Sequence, residues 1–221
     1  MSIFDPIVDL FGWMFSGFSS VWDEIIVFFG GKKLAILGAR GVGKTHLIRF
    51  LSTGEIPTEY KQTVAPEKYK GRRFKLETLD LKIKANLDVS GAQAAYAEWK
   101  TLYSQADIIF YLFKADMLLS GDAKSEERVR ADLRHINTWR QNSRKPRQIF
   151  LVGTHCDNDP NYSAYSLRFG DYVDKFHKLP IVAEMRGYAG GGADAKVVLG
   201  SMKSLDETQA LVLQIFKQAV I

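Results

Sequence analysis

The sequence predicts an α/β fold, doubly wound, with a mostly parallel six-stranded sheet, helices on both faces and an N-terminal amphipathic helix ahead of the domain. Three observations predict it. From residue 31 onward, short apolar runs alternate with helix-period segments. The run Leu34-Ala35-Ile36-Leu37 passes through a glycine-rich turn directly into Leu47-Ile48-Arg49-Phe50-Leu51, a strand–loop–helix order. Polar residues able to bind ligands stand just after several apolar runs, where a parallel sheet presents its ligand edge.

Residues 3–29 read as one helix. Ile7, Leu10, Phe11, Met14, Phe15, Phe18, Trp22, Ile25 and Phe29 recur at steps of three and four, with Asp5, Asp9, Ser16 and Ser19 opposite. Asp9, Asp23 and Glu24 bracket too short an uncharged run to span a bilayer. Gly30-Gly31 marks a break, which divides the chain into a helical segment, 1–30, and a domain, 31–221. Within the domain a first strand is predicted at 33–37 and a helix at 44–52, followed by extended pieces at 67–70, 72–78 and 81–87. Segments 108–113 and 148–152 are nearly continuous in apolar residues, the pattern of strands buried on both faces. Between them 124–141 reads as a helix with Glu126, Arg130 and Arg134 toward solvent. A further helix falls within 163–177, a glycine-rich loop runs from Gly187 to Gly192, and 197–199 is the last strand. The closing helix, 205–220, buries Leu211, Ile215 and Phe216.

A chain of 221 residues with 46% apolar content can bury one sizeable core. Its formal charge of +5 suits an anionic nucleotide or a membrane surface without establishing either. One cysteine, Cys156, excludes an internal disulfide and points to a reducing compartment. The first residues show no cationic n-region and no small-residue cleavage site, so no secretory signal is expected and a cytoplasmic location fits best. Lys68, Lys70, Arg72, Arg73, Lys75, Lys82 and Lys84 alternate with apolar residues, as on the solvated face of a hairpin, and no nucleic-acid partner is expected. His46, His135 and His177 lack metal-ligand spacing.

The turn between the first strand and helix reads Gly38-Ala39-Arg40-Gly41-Val42-Gly43-Lys44-Thr45, which fits G-x-x-x-x-G-K-[ST]. Glycines let the backbone wrap closely, and consecutive N–H groups at a helix N-terminus aim at phosphate oxygens. The predicted contacts run over Gly38, Arg40, Gly41, Val42, Gly43, Lys44, Thr45 and His46, with Lys44 on the β- and γ-phosphates and the Thr45 hydroxyl on Mg²⁺. Asp88-Val89-Ser90-Gly91 ends an alternating strand; Asp88 there can hold Mg²⁺ through water, and the Gly91 N–H can sense the γ-phosphate. By itself D-x-x-G equally describes a turn. Thr154-His155-Cys156-Asp157 follows another strand, and Asp157 can accept two hydrogen bonds from the guanine edge, which adenine does not offer. Ser201-Met202-Lys203 follows the last strand, where the Met202 N–H can bond the guanine O6.

In this order the motifs resemble those of small GTPases of the Ras superfamily, whose P-loop NTPase fold the resemblance therefore implies. The likeness runs over essentially the full chain and is closest to the Arf/Sar branch. It is carried by Ser16-Gly17-Phe18-Ser19-Ser20-Val21, Lys32-Lys33-Leu34-Ala35-Ile36-Leu37-Gly38, Asp88-Val89-Ser90-Gly91 with Trp99-Lys100, and Asp116 after a strand. The resemblance implies a GTP/GDP switch with Mg²⁺ held by Thr45, Thr63 and Asp88, and an effector or regulatory protein on the two switch segments. It makes Thr63 the first-switch threonine; read alone, Thr63 is a loop threonine. His155 stands where that family prefers Lys, and Met202 where it has Ala.

Two positions bear on hydrolysis. Ala92 follows Gly91 where the family places a water-orienting Gln or His, and Gln93 lies one residue later. Arg40 can turn inward as an arginine finger, worth about 10³–10⁵ in rate where it operates, crowd out the attacking water, or face solvent. The candidate catalytic residues are therefore Lys44, Thr63, Arg40 and Gln93, with slow intrinsic GTP turnover expected. The alternative is a hydrolysis-deficient GTP/GDP-binding module acting through a protein partner. In the Arf/Sar branch the N-terminal helix enters the cytosolic leaflet with GTP bound. Here Phe11, Trp13, Phe15, Phe18 and Trp22 supply aromatic bulk for peripheral membrane contact, while Asp5, Asp9, Asp23 and Glu24 would be repelled by anionic lipid. Packing on the domain or on a partner helix is the other reading. Ser2 excludes N-myristoylation.

Overall fold

The computed structural model describes residues 33–53, 96–162, 169–191 and 195–220. Within them four strands lie side by side in chain order, all parallel: β1 (Leu34–Gly38), β2 (Ile108–Lys114), β3 (Gln148–Thr154) and β4 (Ala195–Leu199). Their register sets Gly38 beside Leu112, Lys114 beside Thr154 and Gly153 beside Leu199, so the loops leaving all four open along one edge. The extended pieces expected at 67–70, 72–78 and 81–87 lie outside the described residues, as does the helix expected over 3–29.

The described helices are α1 (Lys44–Thr53), α2 (Tyr96–Gln105), α3 (Ala115–Leu119), α4 (Ala123–Gln141), α5 (Phe169–His177), α6 (Pro180–Ala189) and α7 (Leu205–Val220). Period-two alternation along the strands deals their side chains to two helix layers. Ile108, Phe110 and Leu112 of β2 and Phe150 and Val152 of β3 meet Leu47 and Phe50 of α1 and Leu211, Ile215 and Phe216 of α7. Ile109, Tyr111, Phe113 and Leu151 turn the other way, onto Trp99 of α2, Leu133 and Ile136 of α4, Phe176 of α5 and Met185 of α6. Burying each such large side chain stabilises the fold by about 1.5–3 kcal/mol. Both faces of the sheet are therefore covered, as the unbroken apolar runs of β2 and β3 require.

Local signals fix the helix ends. Asp122 caps α4 by accepting from the Ser125 N–H at 2.8 Å. Ser204 and Glu207 form a reciprocal capping box at α7: the Glu207 N–H donates to Ser204 Oγ at 3.2 Å, and the Ser204 N–H donates to Glu207 Oε2 at 3.1 Å. Among the described residues no helix is long and apolar enough to cross a membrane.

The expected loop from Gly187 to Gly192 is corrected over 187–189, which are helical, while Gly190 and Gly191 lie in a turn and Gly192 falls outside the described residues. Gly187 belongs to α6, which starts at Pro180 in the first turn and ends at Gly190, where φ is 122°. The reason is the stripe Ile181, Val182, Met185 and Ala189, all buried, which seats α6 against the core beside α4. Arg130 of α4 pairs with Glu184 of α6 at 2.8 Å, so a charge expected to face solvent joins two helices at their rim. A methyl group on Gly187 would meet nothing within 4 Å. Gly187→Ala is thus expected to raise stability by about 0.5–1 kcal/mol in urea unfolding. Destabilisation would contradict the helical assignment.

Candidate functional site

The turn after β1 is built on glycines that other residues could not replace. At Gly43 φ is 90°, and an added Cβ would come within 2.2 Å of Met202 Cε. At Gly38, a Cβ would fall 2.3 Å from the Leu112 carbonyl oxygen of the neighbouring strand. Lys44 opens α1 with its side chain buried and its ammonium folded back over the turn, donating to the Gly38 carbonyl at 3.0 Å and the Ala39 carbonyl at 2.8 Å. That places one positive charge at the mouth of the loop and at a helix N-terminus, an arrangement that suits a phosphate chain. Thr45 and His46 are half-buried in the first turn of α1, and Arg40 is exposed on the turn.

The loop after β3 is tied to this turn through one side chain. The Thr154 hydroxyl is fully buried and lies 2.9 Å from the Val42 carbonyl oxygen, 3.1 Å from that of Phe113 and 2.8 Å from His155 Nδ1. A hydroxyl has one hydrogen to donate and can accept others. The two carbonyls can only accept, so that hydrogen goes to them and His155 Nδ1 must carry its own proton. Hydrogen-bond counting thus assigns neutral His155 the Nδ1–H tautomer, with Nε2 as an acceptor. His155 itself sits in left-handed backbone, φ 60°, and swings the chain into the 3-10 turn Cys156–Asn158 that carries half-buried Asp157. Burial, followed by the charge of Lys114, holds the His155 imidazole below its ordinary pKa of 6.5. Burial likewise lowers His46, with smaller contributions from His155 and Arg49.

The loop after β4 joins the same edge. The Cys156 N–H donates to the Gly200 carbonyl at 3.3 Å, and the Gly200 N–H to the Gly153 carbonyl at 2.9 Å. Ser201 is buried and donates to Glu207 Oε2 at 3.0 Å, while the Lys203 N–H donates to Ser201 Oγ at 3.0 Å. The Met202 side chain packs with Val42 and Leu47 in the core and abuts Gly43. Sequence reasoning took Met202 for a backbone contact alone; its side chain is also a wall behind the phosphate turn. Cys156 is buried, and burial pushes its thiol up to about 12, which leaves it an inert packing residue.

The structure therefore gathers Gly38, Arg40, Gly41, Val42, Gly43, Lys44, Thr45, His46, Thr154, His155, Asp157, Ser201, Met202 and Lys203 at one sheet edge. Thr63, Asp88, Gly91, Ala92 and Gln93 lie outside the described residues. Sequence reasoning missed the Thr154 bridge, which no spacing announces. It also missed Asp132, whose signal was present: it falls between Val129, Leu133 and Ile136 on the buried face of α4.

Against models of protein families, residues 33–157 match the one described as Ras of Complex, the Roc domain of DAPkinase, over more than half of the chain. The matched stretch runs from the phosphate turn through Asp157. No curated protein matches the chain.

Two outcomes follow from this geometry. Thr154→Val keeps the shape but leaves buried carbonyls without their donor, so unfolding free energy should fall by about 1–3 kcal/mol; an unchanged value would mean the bridge is idle. The unfolded chain takes up protons near pH 6.5 that folded His46 and His155 refuse, so their contribution is complete above pH 6.5 and declines as pH falls below it. His155→Gln should flatten the drop in urea midpoint between pH 7.5 and 5.5, and an equally steep drop would remove His155 from that account.

Proposed function

This chain belongs to the Roc family of Ras-superfamily GTPase domains, and we propose that it is a switch that binds GTP or GDP with Mg²⁺ and hydrolyses GTP slowly. The observation that carries the proposal is the meeting of two loops at one sheet edge: the glycine turn under Lys44 and the Thr154–Asp157 loop, joined by Thr154 on the Val42 carbonyl. The first fits a phosphate chain in its positive-φ glycines, its buried ammonium and its helix N-terminus. The second presents a carboxylate to the N–H groups of guanine. Met202 and Lys203 complete the base side, with the Met202 N–H toward O6.

Thr45 with Thr63 and Asp88 is the set that would hold Mg²⁺, and the cation would neutralise charge on the phosphates. Lys44 draws the β- and γ-phosphates into the turn. Thr63 and Gly91 supply the contacts that distinguish triphosphate from diphosphate, and a regulatory or effector protein would read them. Ala92 supports slow turnover, because a methyl group cannot orient water; Gln93 and Arg40 are the residues that would assist. The same Ala92 favours a second reading, a nucleotide-binding module without turnover. The Arf/Sar likeness supports an output through the segment 1–30, by peripheral contact of residues 3–29 with a cytosolic membrane face or a partner helix.

The purified chain should bind GTP and GDP without competition from ATP. Asp157→Ala should weaken guanine-nucleotide binding by about 10–100-fold, the scale of a charge-assisted hydrogen bond of 1.5–3 kcal/mol. Preference for ATP would refute the guanine assignment. Rapid single-turnover hydrolysis by the isolated chain, lost in Gln93→Ala, would replace slow turnover with catalysis by Gln93.

A further inference from the structure

A nucleotide held by the two loops described above has to cross β2. The sheet runs β1-β2-β3-β4, with the glycine turn at the end of β1 and the Asp157 loop just beyond the end of β3. Neighbouring strands lie about 4.8 Å apart, so these two ends are separated by about 10 Å. With phosphates in the first loop and the base against the second, the sugar and first phosphate pass over the end of the strand between them. The residue at that end is Lys114.

Lys114 stands apart from its own strand. Ile108 to Phe113 are all buried, and Lys114 is the half-buried residue that closes the run. The alternation that sends Ile108, Phe110 and Leu112 toward α1 continues to Lys114, and Thr154 points the same way, onto the Val42 carbonyl. Lys114 lies directly across from Thr154 in the parallel register, and the Thr154 hydroxyl is 3.1 Å from the carbonyl oxygen of the preceding Phe113. Described contacts therefore join the end of β2 to the phosphate turn and to the loop of Asp157.

A lysine closing an apolar strand can serve simply as a solvated stop. Two observations favour more than that. The Lys114 side chain does not cap α3, which it precedes, and among the described residues no hydrogen bond or ion pair holds its ammonium. Its charge nevertheless reaches the site: after burial it is the largest influence holding the His155 imidazole down, against Asp116 and Asp157, which push it up. His155 is thus mostly neutral at pH 7, so position 155 gives this part of the site little positive charge of its own.

We infer that Lys114 is a nucleotide-binding residue: its ammonium, at the end of β2 between the phosphate turn and the Asp157 loop, contacts the sugar and first phosphate. The inference rests on the guanine-nucleotide reading and deepens it with a contact common to GDP and GTP.

The test measures binding of GDP and of a non-hydrolysable GTP analogue to the full chain carrying Lys114→Met or Lys114→Arg. Methionine keeps the apolar stem and removes the charge; arginine keeps the charge. Lys114→Met should weaken both ligands by the same factor, about tenfold, the scale of one charge-assisted hydrogen bond. Lys114→Arg should recover most of that loss. The nucleotide-free denaturation midpoint should match wild type in both variants, because no hydrogen bond among the described residues depends on that ammonium. The loss in Lys114→Met should persist at about 1 M salt, where the screening length falls to about 3 Å. Unchanged affinity in Lys114→Met, an equal loss in Lys114→Arg, or a loss confined to low salt would overturn the contact. A wild-type chain that takes up neither nucleotide would instead overturn the reading beneath it.

Discussion

One buried hydroxyl holds the candidate site in register. Thr154 closes β3, and its oxygen touches the Val42 carbonyl of the phosphate turn, the Phe113 carbonyl of β2 and His155 Nδ1. Without it the turn after β1 and the loop after β3 would be neighbours only through the sheet. With it, the glycine turn under Lys44 and the loop that carries Asp157 share one fixed point. The tautomer of His155 follows from the same atom, since a single hydroxyl hydrogen leaves Nδ1 as the donor. The parallel register makes this possible, because it brings the ends of β1, β2 and β3 to the same edge.

Around this junction the fold divides its labour between two layers. The layer of α1 and α7 packs behind the phosphate turn, and Met202 extends that core until it abuts Gly43. The layer of α2, α4, α5 and α6 carries the aromatic bulk, and within it the Asp132 carboxylate ties three elements together. Burial raises the Asp132 pKa despite its three hydrogen-bond donors, so desolvation outweighs them in setting its charge. Removing one of its partners would leave a buried polar group unsatisfied, which costs more than the intact cluster contributes.

The strands and the phosphate turn were legible in the sequence because their signals are local. Four apolar runs became β1 to β4, with ends that differ by two residues or fewer from those expected, and G-x-x-x-x-G-K-T folded as a turn between strand and helix. The α6 helix was not legible: three glycines in the span from Gly187 to Gly191 outweighed a buried stripe that ends at Ala189. Thr154 and Met202 were legible as positions after strands, but not in what their side chains touch. Val42 is 112 residues from Thr154, and no periodicity encodes a contact of that range. Asp132 carried a readable signal, a carboxylate on an apolar helix face, whose partners only the tertiary fold identifies.

The central claim is that these loops form a guanine-nucleotide site, and the nucleotide carried by the chain tests it most directly. Acid release and chromatography of the freshly purified full-length protein should yield GDP or GTP at close to one equivalent per chain. Release of adenine nucleotide, or a nucleotide-free protein that takes up no guanine nucleotide on addition, would contradict it.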